Sequence, residues 1–241
     1  MIDNSTGCNS SEFDADASNP ATRGPNNAML AYQEIKRRIM DNVYTVGAPV
    51  SMQETADLLN MSRTPIRDAL IRLQEEKLVR FIPRHGFQVL PISVKDTAEI
   101  YRILASLELL AIEDLLASPP SPEIIAELDA SVAGLEHALA IGDLDAWARF
   151  DAIFHETLVE ASGNQRLMIL IRQFQDQTRR ARRITLHLRS SPKVSTKNHR
   201  NLVEAIKLND AESAYAIHKA QRSRSAGELT SILKTLDIRH L

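Results

Sequence analysis

The chain has 241 residues, of which 44% are hydrophobic and only 5% aromatic, and its formal net charge is −2. This length suits one large or two modest domains, and an aromatic-poor composition favours helices over a β-sandwich. The single cysteine, Cys8, excludes an internal disulfide and a thiolate metal site.

The first residues carry no basic and apolar leader, and no uncharged apolar run is long enough to span a bilayer. A cytoplasmic protein without a membrane partner is the expectation. The near-neutral total excludes a chain-wide polyanion binder. Charge is uneven, however: −3 over residues 1–27, +2 over 28–92 and −1 over 93–241.

Residues 1–27 are rich in Asn, Ser, Asp and Ala without an apolar period, which predicts a disordered tail. From Ala28 to Asn42, Leu30, Ala31, Ile35 and Ile39 recur at helical spacing. Gly47 and Pro49 then stop the chain. Ser51 and Glu54 form a capping box that opens a short helix ending at Leu58 and Leu59. Asn60 suits a left-handed turn. Ser62 is placed to cap the next helix, with Pro65 in its first turn. Ile66, Ala69, Leu70 and Leu73 give that helix an apolar face, and Arg63, Thr64, Arg67 and Arg72 an outward one.

Leu78–Ile82 and Phe87–Ile92 read as two strands joined by a four-residue loop, Pro83 to Gly86, with Arg84 and His85 at its tip. No strand signal follows. Ser93, Ser121, Asp143 and Asp210 are cap residues. Pro119–Pro122, Gly142, Gly163-Asn164 and Ser190–Pro192 are breaks. Together they divide the remainder into about six helices, ending near Ala117, Gly142, Ala161, residue 188, residue 208 and Leu236. The expected architecture is therefore mostly α. Residues 28–92 form a winged helix-turn-helix domain, and residues 93–241 an all-helical effector-binding and dimerisation bundle.

A helix N-terminus offers free N–H groups and a positive dipole end to phosphate. Arg63 and Arg67, one turn apart, can fork onto guanine edges or phosphates. Ser62 and Thr64 add hydroxyl donors. The tip residues Arg84, His85 and Gly86 extend the candidate surface for double-stranded DNA. In the bundle, Asp151 and His155 are spaced i, i+4 on one helix face, His199 opens the fifth helix, and His218 lies in the sixth. A carboxylate with imidazoles suits Zn²⁺, Ni²⁺, Mn²⁺ or Fe²⁺ without choosing between them. Arg179, Arg180, Arg182 and Arg183 cluster on the fourth helix, where one of them could enter a pocket and bind an anion.

The run Ser62-Arg63-Thr64-Pro65-Ile66-Arg67-Asp68-Ala69-Leu70, followed by Leu73, Glu76, Leu78-Val79 and Gly86, resembles the DNA-binding domain of the GntR family of bacterial transcription regulators. Residues 93–236 resemble the FadR-type (FCD) effector domain of one GntR subfamily, through Phe150-Asp151, Phe154-His155, Leu158, Ala161-Ser162-Gly163-Asn164 and His199-Arg200. The resemblance implies a ligand-responsive regulator, commonly a repressor, that reads an inverted repeat as a homodimer and answers to a small, anionic metabolite. It implies Ser62, Arg63, Thr64 and Arg67 as reading residues, and the tip from Arg84 to Gly86 in the minor groove. It also implies Asp151, His155 and His199 as metal ligands. The last ligand position falls on Gln221, with His218 one turn earlier as a substitute after a helix rotation. An arginine common in the first effector helix aligns with Leu104, four residues before Glu108. The competing class is a metal-dependent hydrolase built on Asp151, His155 and His199. It would have no nucleophile motif, no placed general base and no use for the reading element, so no enzyme is expected.

Overall fold

The computed structural model describes residues 25–118 and 120–236. The expected tail lies outside the described residues as far as residue 24, and Cys8 with it. Its last three residues are already helical: α1 spans Pro25–Met40. Proline is harmless at that first position, where its missing N–H has no partner to lose.

After α1 come β1 (Pro49–Val50), α2 (Met52–Leu58), α3 (Arg63–Glu75), β2 (Val79–Ile82) and β3 (Gly86–Val89). The Ser51 hydroxyl accepts the Glu54 N–H, as the capping box requires. Asn60 takes φ +51 between α2 and α3, and Met61 N–H closes that turn on Ala56 O at 2.9 Å. Ser62 stands at the cap position of α3 but its side chain makes no capping bond. Ile35 and Ile39 of α1 pack with Ile66, Leu70 and Leu73 of α3 and with Phe87 and Val89 of β3 in one buried cluster.

The hairpin departs from expectation. Gly86 pairs with Ile82, so the loop is three residues, Pro83 to His85, and β3 ends at Val89. Pro83 and Arg84, the latter at φ +66, form a tight turn closed by His85 N–H to Ile82 O at 3.1 Å. A third strand completes the sheet: β1 pairs antiparallel with β3 in the order β1-β3-β2. It was unreadable in sequence because it is a two-residue edge strand opening on Pro49, which an edge tolerates.

The remainder is helical: α4 (Val94–Leu116), α5 (Pro122–Ile141), α6 (Leu144–Glu160), α7 (Gln165–Thr185), a 3-10 turn (Leu186–Leu188), α8 (Lys193–Lys207) and α9 (Ala211–Thr235). The side chains of Ser93, Ser121, Asp143, Asn164 and Asp210 each cap their helix through a backbone N–H three residues on. Gly142 ends α5 at φ +74, a left-handed conformation that favours glycine. The fifth bundle helix begins two residues before its expected start, with Pro192 as N-cap. α4 packs along α9 and against α7, and α5 packs against α6 and α8. Among the described residues no helix is long and apolar enough to cross a membrane.

Gly86 sits at φ +97, and a Cβ there would lie 2.1 Å from Val50 O of β1. Gly86→Ala should therefore destabilise the folded protein by about 2 kcal/mol or more, as strain and a backbone clash combine. Urea unfolding measures it, and an unchanged midpoint would contradict this placement of β1.

Candidate functional site

Two sets of side chains stand out. The first is on α3 and the hairpin. Ser62, Arg63, Thr64 and Arg67 are exposed at the N-terminal end of α3, and Arg84 and His85 are exposed at the hairpin tip. Among the described residues, Arg63, Arg67 and Arg84 enter no ion pair, whereas Arg37, Arg38 and Lys36 of α1 all do. Three unpaired cations thus share this surface with the free N–H groups of a helix start. One expected member behaves differently: Gly86 is half-buried beneath β1 rather than at the tip. Arg72 is exposed as expected and lies over the Tyr32 ring, 4.4 Å from its centroid.

The second set is buried in the bundle. α6 presents Asp151 and His155 on one face, and α8 presents His199 opposite them. The three are buried, and one potential ligand atom from each lies within 4.8 Å of the others. His199 Nε2 is 3.3 Å from His155 Nε2 and 3.4 Å from Asp151 Oδ1, and His155 Nε2 is 3.7 Å from that oxygen. Two ligands each about 2.1 Å from one ion stand about 3.0–3.4 Å apart. His199 Nδ1 lies 2.8 Å from Ser195 O. That carbonyl can only accept, so Nδ1 carries the proton and Nε2 offers its lone pair to the group. Burial pushes His199 down to about 4. Burial, then Arg222, pushes His155 well below the usual imidazole range. Both rings are neutral at pH 7, the form that binds metal. The donor set therefore fits a divalent ion.

His218 does not join this group. Its Nε2 lies 3.0 Å from Glu108 Oε2, and Arg222 grips both oxygens of the same carboxylate. Burial would raise Glu108, but Arg222 and His218 overcome it and hold the carboxyl at about 2. Gln221 takes the neighbouring place, with its Nε2 3.3 Å from His199 Nε2 and its Oε1 buried without a partner. Leu104 is buried in an apolar cluster with Ala111, Val159 and Ile171, and Arg102 is exposed, so α4 brings no arginine to this site.

The arginine cluster of α7 divides. Arg182 bonds the second oxygen of Asp151 and lines the pocket beside it. Arg183 pairs with Asp41 at the end of α1, Arg180 donates to Leu90 O at 2.9 Å, and Arg179 is exposed. One turn earlier on α7, Asp176 accepts from Lys36 of α1 at 2.5 Å, and Lys36 also reaches Glu76 at 2.8 Å and Tyr32 at 2.7 Å. The link between Lys36, Glu76 and Asp176 is not legible in the sequence, because no local signal announces a pair 140 residues apart.

Residues 28–89 match the family "Bacterial regulatory proteins, gntR family", and residues 99–221, just over half the chain, match the FCD domain. The chain belongs to the GntR family. An HTH-type transcriptional regulator from the TAR-I ttuE-ttuC' intergenic region of Agrobacterium vitis is 39% identical over 131 residues, 54% of this chain and 77% of that one. The gluconate operon transcriptional repressor of Bacillus subtilis is 26% identical over 186 residues, 75% of each chain. Escherichia coli McbR/YncC shares the fold, with a TM-score of 0.71 and 22% identity over 85% of this chain and 97% of that one. So does the metal-free FCD domain of TM0439, with a TM-score of 0.51 and 21% identity over 59% of this chain and 97% of that one. This GntR-family chain is a DNA-binding transcriptional regulator, and the matched relatives are regulators rather than enzymes. The hydrolase reading of Asp151, His155 and His199 is set aside.

Proposed function

We propose that this GntR-family regulator is a repressor that reads an inverted-repeat operator as a homodimer. A small anionic metabolite bound beside a divalent metal in the helical domain would control it. Residues 28–92 are the reading domain and residues 93–241 the sensing and dimerisation domain. The reading residues are Ser62, Arg63, Thr64 and Arg67 of α3, with Arg84 and His85 on the wing. The observation that carries this is the set of unpaired, exposed guanidiniums around the α3 N-terminus. Such groups can fork onto guanine or phosphate without first breaking an ion pair. The gluconate operon repressors among the relatives support repression. Ile103 and Leu110, seven residues apart on α4, and Ile169 and Leu170 on the adjacent α7 are exposed. A second copy would cover that apolar face.

Asp151, His155 and His199 would hold the metal, which could be Zn²⁺, Ni²⁺ or Mn²⁺. Bound there, it would supply a Lewis-acid anchor for an acidic effector. Control requires that the effector bind one arrangement of the reading heads better than the other. α7 offers the mechanical link, since Arg182 touches Asp151 while Asp176, Arg180 and Arg183 hold α1 and the strand-to-helix connection at Leu90.

In mobility-shift titrations with the DNA upstream of its own gene, two chains should bind per site. Arg63→Ala or Arg67→Ala should weaken that binding by about 1–3 kcal/mol. A folded variant with unchanged affinity would remove that arginine from the reading set. For the metal, equilibrium dialysis against Zn²⁺, Ni²⁺ and Mn²⁺ should give one ion per chain, and His199→Ala should lower its affinity at least about tenfold. Equal metal content in wild type and variant would count against the site.

A further inference from the structure

A pocket opens to solvent beside Asp151. Arg182, Arg189, Arg222 and Arg224 all line it. Two of the four are neutralised by carboxylates, Arg182 by Asp151 and Arg222 by Glu108. Among the described residues the other two pair with none. Arg189 donates to Thr185 Oγ1 at 2.8 Å and 3.1 Å and more weakly to Arg182 O at 3.4 Å. Arg224 donates to Ser195 Oγ at 2.7 Å, and its Nε is buried without a partner. Glu228, the remaining carboxylate on the lining, accepts from Ser190 N–H at 2.9 Å.

Pro192 and Ser195, at the N-terminus of α8, line the same pocket. α8 starts on Pro192 with no side-chain cap, unlike the other five bundle helices. Its first-turn N–H groups and its dipole favour an anion. At the inner end, the buried side chains of Gln221 and His155 each carry a polar atom without a partner, Oε1 and Nδ1. Trp147 and Leu186 supply apolar wall.

We propose that Arg189, Arg224 and the N-terminus of α8 form a second anion subsite, so that the effector is a small dianion with an acid group at each end. This rests on the reading of the pocket as the effector site. One acid group would lie at the inner end, beside Asp151, His155 and Arg182. The other would sit between Arg189 and Arg224, neither of which enters an ion pair among the described residues, and would accept the Arg224 Nε–H. A dicarboxylate and a phosphorylated acid share this chemistry.

Isothermal titration of the full chain, with and without Zn²⁺, tests it. The probes are succinate and glutarate, their one-acid counterparts butyrate and valerate, and 3-phosphoglycerate. At least one two-headed probe should bind about tenfold or more tighter than the matched monoacid, that is by about 1.4 kcal/mol. Tighter binding of 3-phosphoglycerate than of succinate identifies the second group as phosphate, and the reverse as carboxylate. Arg189→Gln and Arg224→Gln should each bring the ratio towards one. Equal affinities for one- and two-headed probes, no binding of any two-headed probe up to about 10 mM, or a ratio that both variants leave intact would overturn the subsite. If a variant fails to fold, the comparison of probes on the unaltered chain still decides. A mobility shift run alongside separates the two readings. Arg63-dependent DNA binding with a probe ratio of one sinks the subsite alone, and its absence sinks the regulator's reading surface.

Discussion

Asp151 faces two ways. One oxygen stands 3.4 Å and 3.7 Å from the Nε2 atoms of His199 and His155, and the other takes a hydrogen bond from Arg182. All of this happens in a buried setting, where unpaired charge is costly and paired charge is held tightly. Because Arg182 belongs to α7, the position of that helix is tied to the group that would hold a metal. The same helix reaches the reading domain through Asp176, Arg180 and Arg183. α7 thus touches both Asp151 and the reading domain. Among the described residues the buried cluster of the reading domain shares no side chain with the four clusters of the bundle, and α7 adds polar contacts between the two domains.

Glu108, Arg222 and His218 form a second buried charged group next to the first, joining α4 to α9. A pair like this contributes less to stability than its geometry suggests, but removing one member strands the other in low dielectric. It joins two long helices, and it engages His218 away from Asp151, His155 and His199. Gln221 is left beside His199 with an unmatched oxygen.

Much of this was legible in the chain itself. The capping residues Ser51, Ser93, Ser121, Asp143 and Asp210 declare helix starts by local chemistry, and all five cap. The i, i+4 spacing of Asp151 and His155 placed both on one face, where the structure has them. What escaped depended on distant partners. β1 exists only because β3 lies beside it. Gly86 passes close under Val50 O of β1, a contact that no local pattern announces. The four arginines of α7 look alike in sequence and differ only in what α1, Leu90 and Asp151 put in front of them. Ser62 had the chemistry of a cap, yet its hydroxyl makes no capping bond.

The central claim is that α7 transmits occupancy of the bundle site to the reading head. The most direct test is operator affinity in the Zn²⁺-loaded and the chelated protein, for wild type and for the double variant Asp176→Asn/Arg183→Gln. In wild type, metal should change operator affinity by about 5–150-fold, a coupling of about 1–3 kcal/mol. The double variant should bind metal and DNA separately but lose most of that coupling. Identical coupling in both proteins, or none in wild type, would contradict the account.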